Sequence, residues 1–219
     1  MNNIGHILRR EFQHEWRHSA IWVSALMFML GSVYITSLCF NARIDRPSWN
    51  AVFWIIIVFV ALSISLRNIG QQHTGYELYQ YLIFNPLQYL IAKWSHQALF
   101  ALAMNALTLM TYSVFMGFNI ERLALFCLIL AMNTLASTSV LVLTGSIAAY
   151  VSGGFSILSI LSIPLLIPVY SISVKIGKQA MDGIENAAFR WDLLAVLGGP
   201  FLISFGLSVL LFPYLWRSR

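Results

Sequence analysis

Charged side chains divide the chain into long apolar runs separated by polar clusters. The uncharged stretches cover 19–42, 47–66, 94–120, 123–174 and 193–216. A charge at the centre of a bilayer costs about 2.5–3.5 kcal/mol on insertion scales, so charge-free stretches map the segments able to cross one. A crossing helix rises ~1.5 Å per residue and needs roughly 20 apolar residues to cover ~30 Å of hydrocarbon. The run 123–174 is more than twice that length and must fold back once; Ser152-Gly153-Gly154 is its turn-like break. The pattern predicts an all-α integral membrane protein with six transmembrane helices, over about 20–41, 48–66, 94–118, 123–150, 155–174 and 193–216. Trp22, Trp49, Trp54, Trp94, Trp191 and Trp216 lie toward the ends of these runs, as expected of side chains in an interfacial belt.

The polar intervals have patterns of their own. In residues 1–18, Ile4, Leu8, Phe12 and Trp16 form a stripe of period four, while Arg9, Arg10 and Arg17 occupy other faces. That is the signature of an amphipathic helix lying in the membrane interface with its basic groups toward headgroups. The interval 67–93 opens polar and turns apolar and aromatic from Tyr76 to Phe84; its uncharged part, 78–92, is interrupted by Pro86 and is too short to span. A short surface helix is expected there, either a passive interfacial element or a docking element for a soluble partner. The interval 175–190 alternates charge with Ile176, Ala180 and Ile184 and reads as a surface helix covering the opposite end of the bundle. Pro164 and Pro168, four apart, predict a kink on one face of the fifth helix.

Composition agrees with the pattern. Only 10% of the 219 residues are charged and 59% are hydrophobic, whereas soluble domains carry about 25% charged residues. The net charge of +5 sits mainly at the ends of apolar runs, where it suits phospholipid headgroups better than nucleic acid. Six spans place both termini on one side, but Lys and Arg are divided almost evenly between the two faces, so charge specifies orientation weakly. Cys39 and Cys127 lie inside apolar runs without a CxxC and are expected to be small buried hydrophobes.

The sequence has no GxxxxGK[ST] phosphate loop, no GxSxG, no HExxH and no pair of carboxylates within the spans. Of the five histidines only His96 approaches a span, so neither a metal nor a haem site is indicated. The intramembrane polar residues Asn105, Thr108, Asn133, Ser137, Thr138, Ser139 and Thr144 are uncharged, as in helix–helix contacts or the lining of a substrate path. The sequence predicts a membrane subunit without catalytic residues of its own.

Several segments resemble the cytochrome c maturation protein B family (haem exporter protein B). Gly75-Tyr76-Glu77-Leu78-Tyr79-Gln80, followed by Pro86 and Lys93, is similar to the family's G-x-L-E-Q-L…P…K segment. Gly153-Gly154, Ser159-Ile160 and Pro164-Leu165-Leu166-Ile167-Pro168 are similar to its GG…LSI…PLxIP segment. The block Trp49-Asn50-Ala51-Val52-Phe53-Trp54 and the ending Leu211-Phe212-Pro213-Tyr214-Leu215-Trp216-Arg217 look like the Bacteroidetes branch. One departure is local: Tyr79 stands where the family has Glu before Gln, and the acidic residue, Glu77, comes two positions earlier.

The resemblance implies an ABC-2-type permease subunit with no cofactor of its own. ATP would be hydrolysed by a partner ATPase subunit, and haem would be handled by the complex as a whole. It implies a second copy of the chain, a haem-handling membrane protein and a periplasmic haem chaperone as further partners. The segment 67–93 would be a cytoplasmic coupling helix, with Gly75, Glu77, Leu78, Tyr79, Gln80 and Pro86 facing the ATPase subunit. Both termini would then lie inside the bacterial inner membrane and 175–190 would face the periplasm. The task implied is haem export or the ATP-driven release of the haem-loaded chaperone. A permease for a lipid, drug or polysaccharide is the alternative, and a membrane scaffold without transport is a third.

Overall fold

The computed structural model describes residues 20–40, 44–70, 86–149, 154–183 and 190–217. Among them every regular element is helical: α1 Ala20–Phe40, α2 Arg46–Gly70, α3 Pro86–Met116, α4 Leu123–Ala148, α5 Gly154–Met181 and α6 Trp191–Arg217. All six contain a segment long and apolar enough to cross a membrane.

Local chemistry fixes several helix ends. Asp45 caps α2: its carbonyl accepts the Trp49 N–H at 2.9 Å and its carboxylate accepts the Ser48 N–H at 3.4 Å. Pro86 is the first described residue of α3, and at a helix start its missing N–H costs nothing. Gly117, at φ +80°, ends the same helix in the left-handed conformation that glycine adopts without a Cβ penalty.

Two boundaries depart from the sequence pattern. Residues 86–93 form the first turns of α3 and not the end of a separate surface helix, and 175–181 complete α5. Charge marks the edge of the hydrocarbon, not the end of a helix, because a lysine stem lets its ammonium reach the interface while the backbone continues. Lys93 illustrates this, with its Nζ 5.8 Å from the centre of the Tyr89 ring one turn earlier. Pro164 and Pro168, where the sequence predicts a kink, both lie within α5. Both prolines are exposed, so the carbonyls they leave without helical donors, at Ile160 and at Pro164 itself, lie on the outer side of the bundle.

Helix α4 is the axis of the bundle. It packs most extensively on α5 and α6 and also meets α2 and α3, while α1 lies outside against α2 and α3. The outer surfaces of α1, α5 and α6 are studded with exposed large apolar side chains, including Ile35, Ile160 and Leu202, as lipid contact requires. Cys39 on α1 and Cys127 on α4 are exposed and not buried: in a bilayer, an outward position is as apolar as an inward one. Trp49 and Trp54 also depart from expectation. They are 0% and 1% exposed and belong to an internal aromatic cluster with Phe53, Tyr112 and Phe126, not to an interfacial belt.

The alternating helix directions gather the α1–α2, α3–α4 and α5–α6 connections at one end. That end is tied together. The Trp49 indole donates to the Gly117 carbonyl at 3.2 Å, and Tyr112 donates to the Trp49 carbonyl at 3.2 Å. The Arg122 N–H reaches the Ala180 carbonyl at 3.1 Å, and Arg46 pairs with Glu121 at 2.8 Å. Four of the six helices are thereby joined at this end.

Candidate functional site

Helices α2 and α5 meet closely at the tied end and separate below it. At the meeting point the Asn50 amide donates to the Val174 carbonyl at 2.8 Å, and the Trp54 indole donates to Asn50 Oδ1 at 2.9 Å. One turn further along α5, Gly177 leaves room for this pair. Toward the middle of the membrane a groove of about 380 Å³ opens between the helices. Trp54, Ile55 and Val58 line one wall; Ile163, Leu166, Ile167, Tyr170, Ser171 and Val174 line the other. Its volume is within the range of roughly 300–1,000 Å³ typical of small-molecule sites.

Behind the groove lies a polar layer centred on α4. Ser173 donates to Asn133 Oδ1 at 2.9 Å, and the Asn105 amide donates to Thr134 at 2.8 Å. Thr144 and Ser162 share a hydrogen bond of 2.8 Å, and the Trp94 indole donates to Ser139 at 2.9 Å. Without water in the hydrocarbon, such side chains need protein partners, and each contact of this kind is worth about 0.6 kcal/mol in a membrane. The pairing is incomplete. Tyr170 forms the wall between groove and layer, and its hydroxyl lies beside Asn133 and Ser137 without closing a hydrogen bond. The Asn133 amide nitrogen is likewise unpartnered.

The side chains named in this layer are hydroxyls, amides and the Trp94 indole, all uncharged. Among the described residues no group of His, Cys, Asp and Glu could hold a metal ion. Outside the spans, hydrogen bonding from Ser48 holds the Asp45 carboxyl below its ordinary value, as suits an ionised helix cap.

Of the residues singled out from sequence, Gly75, Glu77, Leu78, Tyr79 and Gln80 lie outside the described residues, as do Arg9, Arg10 and Arg17. Pro86 is the first residue of α3. Pro164 and Pro168 each follow a groove residue, Ile163 and Ile167, but point outward themselves. The structure buries Asn105, Thr108, Asn133, Ser137, Thr138, Ser139 and Thr144 at the helix contacts. Sequence reasoning did not single out Tyr170 or Asn50 as site residues. Each is a polar group inside an apolar run, and that was the available signal.

Residues 2–168 match the family described as ABC-2 type transporter. No curated protein and no solved structure matches the chain.

Proposed function

The chain belongs to the ABC-2 type transporter family, and from that premise we propose that it serves cytochrome c maturation as the permease subunit of its ABC-type complex. At the level of the family, it is a multi-pass membrane permease, a non-catalytic subunit of the kind that works with an ABC ATPase subunit. The observation that carries the reading is the family match across 2–168 on a six-helix chain whose sequence has no phosphate loop. In this reading the nucleotide chemistry belongs to an ABC ATPase that works with the permease. What favours cytochrome c maturation within the family is the pair of local similarities at 75–93 and 153–168.

In the proposed mechanism the ATPase subunit bears on the segment 67–93, which joins the end of α2 to the start of α3 on the side of the two termini. A push there loads both helices. At the far end α2 is tethered to α5 through Asn50 and the Val174 carbonyl, so the natural response of α2 is to tilt about that tether. Tilting changes the width of the α2–α5 groove and with it the cover that Tyr170 gives the polar layer. Two copies of the chain would work together, with both termini in the cytoplasm of a bacterium and the tied end at the periplasm, where the haem chaperone is met. Haem is cargo of the complex in this reading and has no assigned ligand in this chain.

A second reading has its own support. The groove is apolar and lies between membrane helices, which suits a lipid, drug or lipid-linked cargo of another ABC-2 exporter. Covalent haem staining of membranes from a deletion strain separates the two. The maturation role predicts loss of every c-type cytochrome, restored by the intact gene. Normal staining sinks it and leaves the exporter of another substrate.

A further inference from the structure

The α2–α5 groove has a feature that neither reading uses. Its α5 wall runs Ile163, Leu166, Ile167, Tyr170, Ser171 and Val174, a face repeating every three or four residues. Lys178 continues that face one turn beyond Val174, and Lys175 stands one turn beyond Ser171. Both lysines are exposed, and neither forms an ion pair among the described residues. Among the described acidic groups of the tied end, Glu121 is bound to Arg46 and Asp45 caps α2; Asp182, one turn beyond Lys178 with its N–H on the Lys178 carbonyl, forms no ion pair with it.

Depth in the membrane follows from the chain itself. Helix α5 is free of charge until Lys175, and the charge-free residues 155–174 cover the ~30 Å of hydrocarbon at ~1.5 Å each. Lys175 and Lys178 are therefore at headgroup level, and the groove descends from them about 16 Å, from Val174 to Ile163, into the acyl region. An apolar trough below and two cations above, without an ion pair among the described residues, match one kind of molecule in the surrounding solvent.

We propose that the α2–α5 groove holds an acyl chain of an anionic phospholipid whose phosphate is bound by Lys175 and Lys178. The lipid is a resident of the leaflet at the tied end, not the transported cargo. Seated beside the Asn50–Val174 tether, it fills the space that α2 sweeps when it tilts. The proposal rests on the membrane-spanning fold and not on cytochrome c maturation, so either can fail alone.

The test is native mass spectrometry of the full-length protein after exchange into phosphatidylglycerol or phosphatidylcholine with the same acyl chains. Two lysines at headgroup level, each worth about 1 kcal/mol toward an anionic lipid, predict phosphatidylglycerol retention tenfold or more above phosphatidylcholine. Lys175→Gln with Lys178→Gln should bring the two lipids level, whereas Lys175→Arg with Lys178→Arg should keep the preference. Ser171→Phe, which fills the groove from an exposed position, should lower retention of both lipids. Equal retention of the two lipids by the native chain overturns the proposal, as does indifference to the glutamine pair or to Ser171→Phe. Oxidative cross-linking of Ser171→Cys to a second copy, with Cys39 and Cys127 replaced by serine, would also overturn it by giving the groove a protein occupant.

Discussion

Gly177 stands so close to Asn50 that a methyl group on its Cα would come within 2.8 Å of Asn50 Oδ1 and 2.9 Å of the Trp54 indole nitrogen. Those two atoms are hydrogen-bonded to each other, and the same asparagine holds the Val174 carbonyl. A glycine in the last turns of α5 thus permits the approach on which the α2–α5 contact depends. Gly177→Ala should force the helices apart or break the Trp54–Asn50 bond. We expect a loss of about 1–3 kcal/mol, the range for overpacking, read as a lower unfolding temperature in detergent. A variant as stable as the native chain would show that the contact yields freely.

The polar layer leads to a different expectation. Asn133 accepts a hydrogen bond from Ser173, but its amide nitrogen has no partner, so the residue contributes little net stability. Asn133→Ala, which removes the amide without overpacking a buried site and leaves Ser173 its bond to the Val169 carbonyl, should change stability by about 1 kcal/mol or less. Activity of the complex should fall nonetheless, because the layer behind Tyr170 loses a donor and an acceptor. Unfolding temperature and ATP-dependent function measured on one variant separate these effects; a large stability loss with full specific activity would reverse the assignment.

At the tied end, Gly183 holds φ +70°, and a Cβ there would fall on the Glu121 carboxylate. Gly183→Ala carries the cost of a left-handed backbone, about 1–2 kcal/mol, and displaces Glu121 from Arg46. Glu121→Ala alone removes only a half-exposed ion pair, worth about 0–1 kcal/mol. The glycine variant should therefore be the more damaging of the two in thermal unfolding. If the two lose stability equally, the ion pair and not the turn governs this end.

Acid should weaken the start of α2. Hydrogen bonding from Ser48 depresses the Asp45 pKa on folding, so the ionised cap contributes stability above the ordinary value of 3.8 and loses it as pH falls through the depressed one. Asp45→Asn should be less stable than the native chain at neutral pH, and the difference should vanish in strong acid. A difference unchanged by acid would assign the cap to shape and not to charge.

The spans were legible because the cost of intramembrane charge is large and leaves long gaps between Lys, Arg, Asp and Glu. Their ends were less so. Lys93 and Lys175 bound the hydrocarbon, but α3 starts at Pro86 and α5 continues to Met181, since a helix does not stop where its lysines leave the lipid. Position along a run also fails to distinguish inward from lipid-facing aromatics. Trp49 and Trp54 occupy the end of a span, as belt residues do, yet tertiary contacts with Tyr112 and Phe126 bury them. The buried hydroxyls and amides of α4 were visible as a class, whereas the groove in front of them depends on how α2 and α5 diverge. That divergence is set by Asn50 meeting Gly177, residues 127 positions apart in a chain whose sequence gives no mark of their pairing.

A chain that is the membrane half of an ATP-driven machine, coupled through 67–93 as proposed, must carry nucleotide hydrolysis with it. The most direct measurement is ATP hydrolysis by the complex purified through a tag on this chain and reconstituted in vesicles. The native complex should contain an ATPase subunit and hydrolyse ATP. Gly75→Pro and Leu78→Asp should insert normally but leave hydrolysis disconnected from transport or lose the ATPase subunit. A native chain that purifies without nucleotide hydrolysis, or two variants that behave as the native complex does, would contradict the account.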